Sequence, residues 1–345
     1  LSEKALAVGV GTGNKIVALF KIYKTAKKLL KKEKLVLENH QGYDIITVQD
    51  QYYLALIGFL LSKKFKLGLE IQVHGFEKYC GLRKLIAKFV IPKANAVRTV
   101  SQRLKRRLIS EFGVEEEKIT AVPIYTRIKN YELRIKNQKN DGKFIFLTVG
   151  RLVEVKNIAM QIKALANAVG TQNFVSANKK IELWIVGEGK EKEKLKDLCY
   201  ALRVMRYTKF LGWQDDLEKF YRQADVFLLT SNYEGWGMAV IEAASFGLPI
   251  IMTDAGCAGE VIKGFEHATT NGVHANDYNN VSGIVIPAGD QKKLENAMLK
   301  LIEDNELRKR LGENARQAVL KLPSKENILG LYKKSWEMAK AVENL

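Results

Sequence analysis

Thr230-Ser231-Asn232-Tyr233-Glu234-Gly235-Trp236-Gly237-Met238-Ala239-Val240-Ile241-Glu242-Ala243-Ala244-Ser245-Phe246-Gly247-Leu248-Pro249 decides how the chain is read. An apolar run, Val226-Phe227-Leu228-Leu229, leads into it. A glycine-flanked turn follows, and a helical stretch closes at Gly247 before Pro249. The order is strand, loop, helix. Glu234 falls on the loop and Glu242 about one and a half turns into the helix, which keeps the two carboxylates apart. So spaced, they suit two separated hydroxyl groups of one extended ligand, and Gly235 and Gly237 keep Cβ atoms away where that ligand approaches.

The alternation continues outward from this stretch. Strands are expected at 144–149, 182–186, 208–211, 226–229, 249–253 and 283–286, with helices at 158–169, 191–202, 217–223, 238–246 and 292–302,. Such alternation calls for a parallel sheet covered on both faces, whose ligands sit at the carboxyl ends of its strands. Three loops after such ends stand out: Gly150-Arg151-Leu152-Val153-Glu154-Val155-Lys156-Asn157, Gly187-Glu188-Gly189, and the turn with Glu234. Arg151 and Lys156 can both reach one anion. A guanidinium grips two oxygens in a fixed fork while an ammonium adds a mobile point charge, a pairing suited to a diphosphate. Residues 263–282 are polar, contain Asn271-Gly272 and read as a long surface loop, and the last helix is expected at 326–342.

The first half alternates too, with strands at 43–48, 69–73 and 96–100 and helices at 51–65, 83–89 and from the N-cap Ser101 to 109,. Residues 15–34 are helical by period. Ile16, Leu19, Phe20, Tyr23, Ala26 and Leu30 share one face, with Lys21, Lys24, Lys28, Lys31 and Lys32 largely off it,. That helix either rests on an anionic membrane or packs on a sheet with a lysine-rich solvent side. Gly9, Gly11 and Gly13 form GxGxG rather than GxGxxG and read as a flexible turn,. His74 ends a strand and precedes Gly75, a placement that favours facing a cleft. The polar stretch from Lys129 to Lys143 marks a boundary, giving a first domain at 1–130, a linker at 131–143, a second domain at 144–322 and a terminal helix at 323–345,.

At 345 residues the chain accommodates two domains, and its net charge of +18 is uneven, +16 over residues 1–145 and +2 over 146–345,. Such a basic half either faces something anionic, membrane surface or nucleic acid, or is a solvated basic surface. No aromatic-interleaved basic stripe or nucleic-acid module is present, which favours the membrane. Apolar runs are too short to span a bilayer. Cys80, Cys199 and Cys257 show neither CxxC nor zinc spacing and are expected as small core residues in a reducing compartment,. Without an Asp-x-Asp or HExxH pattern, a diphosphate has to be neutralised by Arg151, Lys156 and helix N-termini, so neither a metal nor another cofactor is expected.

Val149-Gly150-Arg151-Leu152 with Lys156-Asn157, Trp184-Ile185-Val186-Gly187-Glu188-Gly189, and Glu234-Gly235-Trp236-Gly237 through Glu242-Ala243 to Gly247-Leu248-Pro249-Ile250 resemble the retaining glycosyltransferases of family 4, glycosyl transferases group 1. The likeness covers the second domain almost throughout. In the first it rests on His74-Gly75, Val100-Ser101 and Val122-Pro123. The resemblance implies an α/β chain of GT-B fold, with two Rossmann-like domains of parallel sheet facing across a cleft and the terminal helix crossing back onto the first. It implies a nucleotide diphosphate sugar as donor, held by the second domain, and a glycan, lipid-linked or other cell-envelope acceptor on the first. Carried over, Arg151 and Lys156 hold the diphosphate as leaving group, and Glu234 contacts the donor sugar. Glu242 takes the ribose hydroxyls, and Gly150, Gly187, Gly235, Gly237, Met238 and Ala239 line the donor, with backbone N–H groups at the helix start meeting phosphate. His74 contacts the sugar near the reacting centre. Of these, His74, Arg151, Lys156 and Glu234 are the expected catalytic set.

The usual retaining hydrolase needs a nucleophilic carboxylate close to a second carboxyl group. The resemblance offers no such pair, so same-face attack is expected, with the departing phosphate oxygen taking the acceptor's proton. With the basic first half, this points to an enzyme working peripherally at the inner face of the cytoplasmic membrane. Members of the family usually begin with a strand, a glycine-rich loop and a further strand and helix before the equivalent of residues 15–34. That segment is expected to be missing here, leaving an incomplete first domain. Pro123-Ile124-Tyr125-Thr126 stands where many members carry Pro-Asn-Gly. A nucleotide-sugar epimerase of related fold, and a non-enzymatic basic protein binding nucleic acid or membrane, are the alternatives.

Overall fold

The computed structural model describes residues 15–36, 43–76, 79–126, 142–170, 180–265 and 281–340. The chain divides into two compact units, Leu1–Val122 with Lys325–Leu345, and Pro123–Ser324. In the first lie α1 (Lys15–Val36), β1 (Ile45–Val48), α2 (Tyr53–Phe65), β2 (Gly68–Val73), α3 (Gly81–Val90), β3 (Ala96–Thr99), α4 (Gln102–Phe112) and β4 (Ile119–Ala121). In the second lie β5 (Lys143–Val149), α5 (Ile158–Gly170), β6 (Lys180–Val186), α6 (Lys192–Ala201), β7 (Thr208–Gly212), α7 (Glu218–Gln223) and β8 (Val226–Leu229). It continues with α8 (Met238–Ser245), β9 (Ile250–Thr253), β10 (Ile284–Ile286), α9 (Gln291–Glu303) and α10 (Asn305–Leu320). The chain then returns to the first unit as α11 (Lys325–Lys340).

The first unit holds a four-stranded parallel sheet in the order β1-β2-β3-β4. All six residues of β2 are buried, including Glu70. That carboxylate is satisfied from several sides: Ser335 of α11 donates to it, the Thr47 hydroxyl donates at 2.5 Å, and an Arg98 guanidinium nitrogen lies 3.5 Å away. Arg98 in turn stacks over the ring of Tyr332, 4.2 Å from its centroid, so α11 is pinned to the sheet by buried, paired polar groups as well as by packing,. Gly68 is what lets the helix approach. A Cβ there would lie 1.8 Å from the Ala339 carbonyl oxygen. On α4, Ser101 caps the first turn as its sequence position predicts, its hydroxyl accepting from the Leu104 N–H at 3.2 Å,.

The second unit holds a six-stranded, all-parallel sheet in the order β10-β9-β8-β5-β6-β7. Its inner strands β5, β6, β8 and β9 are almost wholly buried apolar runs, as a sheet covered on both faces requires, while the edge strands β7 and β10 are partly open,. The order reverses at the middle. From β5 the chain steps to β6 and β7 on one side, then returns to place β8 on the other. In open parallel sheets ligands sit at such a switch point, beyond the carboxyl ends of the strands.

Several expectations are corrected. Helix α10 is absent from the helices expected from sequence. Its buried residues Leu307, Leu311, Ala315 and Val319 recur every fourth position, a stripe too narrow to stand out among its many charges, and Asp304 caps it by accepting from the Leu307 N–H at 2.8 Å,. Cys199 and Cys257 are buried, but Cys80 is exposed, because it occupies the extended N-cap position ahead of α3. Phe20, assigned to the packed face of α1, is exposed. The chain leaves the first unit at Val122, before the stretch expected as linker; of that stretch 131–141 lie outside the described residues and Lys143 already belongs to β5. The glycines at 9, 11 and 13 and most of the 263–282 loop also lie outside the described residues. Among the described residues no helix is long and apolar enough to cross a membrane.

Candidate functional site

Neighbouring strands β5 and β8 end side by side, and the loops that leave them carry the cations and the first carboxylate of the sequence reading. After β5 the chain turns through Gly150 and Arg151, forms a short helical turn at Glu154–Lys156 and enters α5 through Asn157, whose φ is 46°. After β8 it runs through Thr230 to Glu234. The two loops are laced together. The Asn232 N–H donates to the Val155 carbonyl at 2.8 Å, and the Thr230 hydroxyl donates to the carbonyls of Lys156 and Asn157 at 3.2 and 3.0 Å. The Asn157 amide donates to the Asn232 side chain at 3.1 Å. Below them the buried Gln161 amide donates to Thr230 at 2.9 Å. Backbone positions on both loops are therefore fixed without help from the charged side chains.

Those side chains meet above this lacing. Lys156 forms an ion pair with Glu234, and the Ser231 hydroxyl donates to the same Glu234 oxygen at 3.1 Å. Both charged groups are largely buried, the lysine side chain 20% and the carboxylate 13% exposed. The pair is thus held in a setting where its charge is felt more strongly than in water. Arg151, on the same loop as Lys156, is exposed. Gly150 lies under the lysine, a Cβ there falling 3.7 Å from Lys156 Cε.

The loop after β6 presses on the first loop from the other side. The Gly150 N–H donates to the Val186 carbonyl at 3.0 Å, and the Leu152 N–H to that of Glu188 at 2.9 Å. A Cβ on Gly187 would lie 2.0 Å from the Gly150 oxygen, and one on Gly189 2.3 Å from the Leu152 oxygen. These two glycines are required by backbone meeting backbone, a role distinct from the ligand contact assigned to Gly187 from sequence. On the far side the Cys257 N–H donates to the Trp236 carbonyl at 2.8 Å, and Gly256, with φ of +59°, leaves room for that carbonyl.

Helix α8 begins at Met238 with Gly237 as N-cap at φ of 97°, and no side chain caps it. The first N–H groups of α8, from Met238 and Ala239, carry the positive end of the helix dipole toward the loop that holds Glu234, an arrangement that receives anions. Gly235 lies in that connecting loop, half-buried.

Glu242, half-buried on α8, lines a cavity of about 310 Å³ walled also by Thr126, Asp216, Tyr221, Met238 and Phe246. The buried Tyr221 hydroxyl donates to the Glu242 carboxylate at 2.8 Å. Burial and the adjacent negative charge push the phenol pKa well up, so it stays a donor at all ordinary pH,. Its ring stacks on Phe246 with centroids 5.3 Å apart, which fixes where the hydroxyl points. Tyr125 and Thr126, in the loop that departs from Pro-Asn-Gly, also wall this cavity, Thr126 Oγ1 lying 3.8 Å from Met238 Sδ.

Glu234, Lys156 and Gly150 are thus brought together, and Glu242 is placed in a cavity with Met238. Thr230, Ser231 and Asn157 fall in the stretches quoted from sequence but were given no role there, and Tyr221 was not singled out, since a tyrosine in a short amphipathic helix and polar residues in loops look alike wherever they fall. His74 belongs to the first unit. It is exposed at the carboxyl end of β2, next to Gly75, whose carbonyl accepts from the Gln51 amide. Although its surface is open, desolvation by the packing around it, and then the Arg98 cation, hold its pKa below the ordinary histidine value, so the ring is neutral at pH 7,. Among the described residues no group of three or more His, Cys, Asp or Glu side chains is arranged to hold a metal ion.

Known proteins resemble this chain in sequence and in fold. The glycosyltransferase MJ1607 of Methanocaldococcus jannaschii is 29% identical over 259 residues, 70% of this chain and 60% of that protein. The lipopolysaccharide core biosynthesis glycosyltransferase LpsE of Rhizobium meliloti is 28% identical over 188 residues, 54% of this chain and 48% of that protein. The chain thus spans less than two thirds of the length of both relatives. Among solved structures, Staphylococcus aureus TarM, captured with fondaparinux, alpha-GlcNAc-glycerol and UDP, matches with a TM-score of 0.70 at 19% identity, over 92% of this chain and 59% of that one. That likeness is one of fold, the two-sheet GT-B class. The model of glycosyl transferases group 1 matches residues 130–318, from ahead of β5 into α10, and takes in every loop that meets at the switch point. With that match over more than half its length, the chain belongs to the glycosyl transferases group 1 family.

Proposed function

We propose that the protein transfers a glycosyl group from a nucleotide diphosphate sugar to a glycan or lipid-linked acceptor of the cell envelope, with retained anomeric configuration. The observation that carries the reading is the meeting of Lys156, Glu234 and the uncapped start of α8 beyond the adjoining ends of β5 and β8. In this reading the donor diphosphate is met by Arg151, by Lys156 and by the N–H groups of Met238 and Ala239. Lys156 turns from Glu234 toward the phosphate, and Glu234 then accepts hydrogen bonds from sugar hydroxyls. Glu242, steadied by Tyr221, takes the ribose. His74 remains assigned to a sugar hydroxyl, where a neutral imidazole serves as donor or acceptor.

The chemistry follows from charge. The bond between the anomeric carbon and the diphosphate oxygen breaks as negative charge grows on that oxygen, and fixed cations stabilise the change where it develops. The acceptor oxygen forms its new bond on the same face, and its proton passes to the departing phosphate oxygen. Both carboxylates already have partners of their own, Glu234 in Lys156 and Glu242 in Tyr221. Neither has the free, paired-carboxyl setting of a retaining hydrolase nucleophile. The place of LpsE in lipopolysaccharide core biosynthesis supports a cell-envelope acceptor.

A panel of nucleoside diphosphates and their sugars, read by thermal shift and by release of free nucleoside diphosphate, tests this. A fitting donor at about a hundred times its Kd adds about 2.7 kcal/mol of stability. If no member of the panel stabilises the protein or is turned over, the proposal fails. Within the panel, Tyr221→Phe is expected to weaken nucleotide binding about fivefold with kcat little changed, since one hydrogen bond of about 1 kcal/mol that orients Glu242 is lost,. An equal Kd for both proteins would remove Glu242 and Tyr221 from the nucleotide site.

A further inference from the structure

A second cavity lies within the second unit. Its volume of about 410 Å³ is in the range of small-molecule sites, and it shares no lining residue with the cavity at Glu242,. Three segments wall it. The loop after β9 supplies Val261 and Lys263, the last turns of α10 and the residues just beyond supply Asn314, Ala318 and Lys321, and Trp236 comes from the loop that also carries Glu234. Hydrogen bonds fix this frame. The Lys263 N–H donates to the Ser282 hydroxyl at 2.8 Å, the Lys263 carbonyl accepts from the Ser282 N–H at 2.9 Å, and the Asn314 amide donates to the Val281 carbonyl at 2.8 Å. The walls are thus held without use of either lysine ammonium group.

The lining holds donors that lack acceptors. Trp236 is 2% exposed, and its buried indole N–H has no hydrogen-bond partner. Lys263 is half-buried and Lys321 exposed, and among the described residues neither ammonium group has an ion-pair partner. The one carboxylate of the lining is that of Glu260, so two lysines stand against one glutamate and the cavity is positive. A buried donor without an acceptor is uncommon in a folded protein and calls for an explanation. A ligand rich in acceptor oxygens and negative in charge supplies one.

We propose that this cavity binds a small organic phosphate, with the phosphate group between Lys263 and Lys321 and the body of the molecule on Val261, Ala318 and Leu322. The residue types favour phosphate over carboxylate. No arginine is among the lining residues, so the planar fork that grips a carboxylate is missing, whereas two ammonium groups act as point charges and suit a tetrahedral group approached from any side,. A phosphate ester carries about two negative charges at neutral pH, which two ammonium groups match. Half of the lining is apolar, Val261, Ala318 and Leu322 included, and that part fits the carbon body of an ester rather than inorganic phosphate alone. None of Arg151, Lys156, Glu234 and Glu242 lines the cavity, so the inference is independent of donor chemistry at the switch point.

Calorimetric titration of the full chain with glycerol 3-phosphate, a hexose 6-phosphate, inorganic phosphate, citrate and the free hexose tests it. An ester is expected to bind one to one, more tightly than inorganic phosphate or citrate, and the free hexose not at all. A saturating nucleoside diphosphate is expected to leave that affinity unchanged. Lys263→Gln and Lys321→Gln should each weaken ester binding about tenfold, the usual worth of one charge-assisted hydrogen bond. Ala318→Phe fills the cavity while keeping both cations, and should abolish binding. Failure of both esters to bind, or unchanged affinity in Lys263→Gln/Lys321→Gln, overturns the proposal. So does ester binding that persists in Ala318→Phe, which would reduce the site to surface cations, and so does citrate binding as tightly as the esters, which would make it a carboxylate site. Displacement of the ester by nucleoside diphosphate overturns it too, by placing the ester in the donor site. Ester binding by a protein that turns over no nucleotide sugar leaves this cavity standing while the proposed reaction falls, so the two readings fail separately.

Discussion

Lys156→Ala is expected to lower kcat by about two to three orders of magnitude, the usual cost of losing one charge that stabilises a developing anion. The backbone at this position is held independently of the side chain, by the Lys156 N–H donating to the Val153 carbonyl at 2.9 Å and by Thr230 on the Lys156 carbonyl. Loop geometry should therefore survive. The variant does leave Glu234 largely buried, still accepting from Ser231 but without its cation, at a cost of about 1–3 kcal/mol,. Lys156→Ala/Glu234→Ala should recover much of that stability and none of the rate. Such a split between Tm and kcat separates a catalytic cation from a structural ion pair. Lys156→Arg should not rescue fully, because a planar fork does not replace a mobile point charge. An unchanged kcat in Lys156→Ala would take the lysine out of the mechanism.

The second large effect is structural. Gly187→Ala places a methyl group 2.0 Å from the Gly150 carbonyl oxygen and 2.9 Å from its carbon, and φ of +131° is itself unfavourable for a residue with a Cβ,. Rotamer change cannot relieve the clash, because both neighbours are backbone. The loops after β5 and β6 have to part, breaking bonds such as Gly150 N–H to Val186 and Gly187 N–H to Gly212 at 3.0 and 2.7 Å. We expect a loss of about 3 kcal/mol or more, hence a fall in Tm of about 6–12 °C for a unit of this size, and displacement of Lys156 with it. Gly289→Ala is the control. Its φ is +81° with nothing within 4 Å of the added methyl, so it should cost about 1 kcal/mol, from the left-handed backbone alone,. Equal Tm shifts for the two variants would show that loop crossing is not what Gly187 serves.

Nine of the ten strands among the described residues were legible because buried parallel strands are continuous apolar runs and the helices between them keep a wide apolar face; β4 (Ile119–Ala121) was missed because three residues are too short a run to stand out,. Strand ends moved by a residue or two, as with β6, which starts at Lys180 where 182 was expected. Helix α10 was lost because its core contact is one narrow line of residues. Exposed positions were read less well than buried ones. Phe20 and Cys80 have the composition of core residues, and only packing shows that each faces solvent.

The sequence by itself determined the family, the alternation of strand and helix, and the residue types at the ends of β5, β6 and β8, since a glycine at a loop crossing and a carboxylate on a strand-to-helix turn recur at fixed spacing. Only the tertiary structure decided which of those ends are neighbours. Strand order is set by long-range pairing, and it is the adjacency of β5 and β8, nearly eighty residues apart in the chain, that turns Lys156 and Glu234 into one ion pair. It likewise joined Tyr221 to Glu242, because burial and contact belong to the folded arrangement and not to any local stretch.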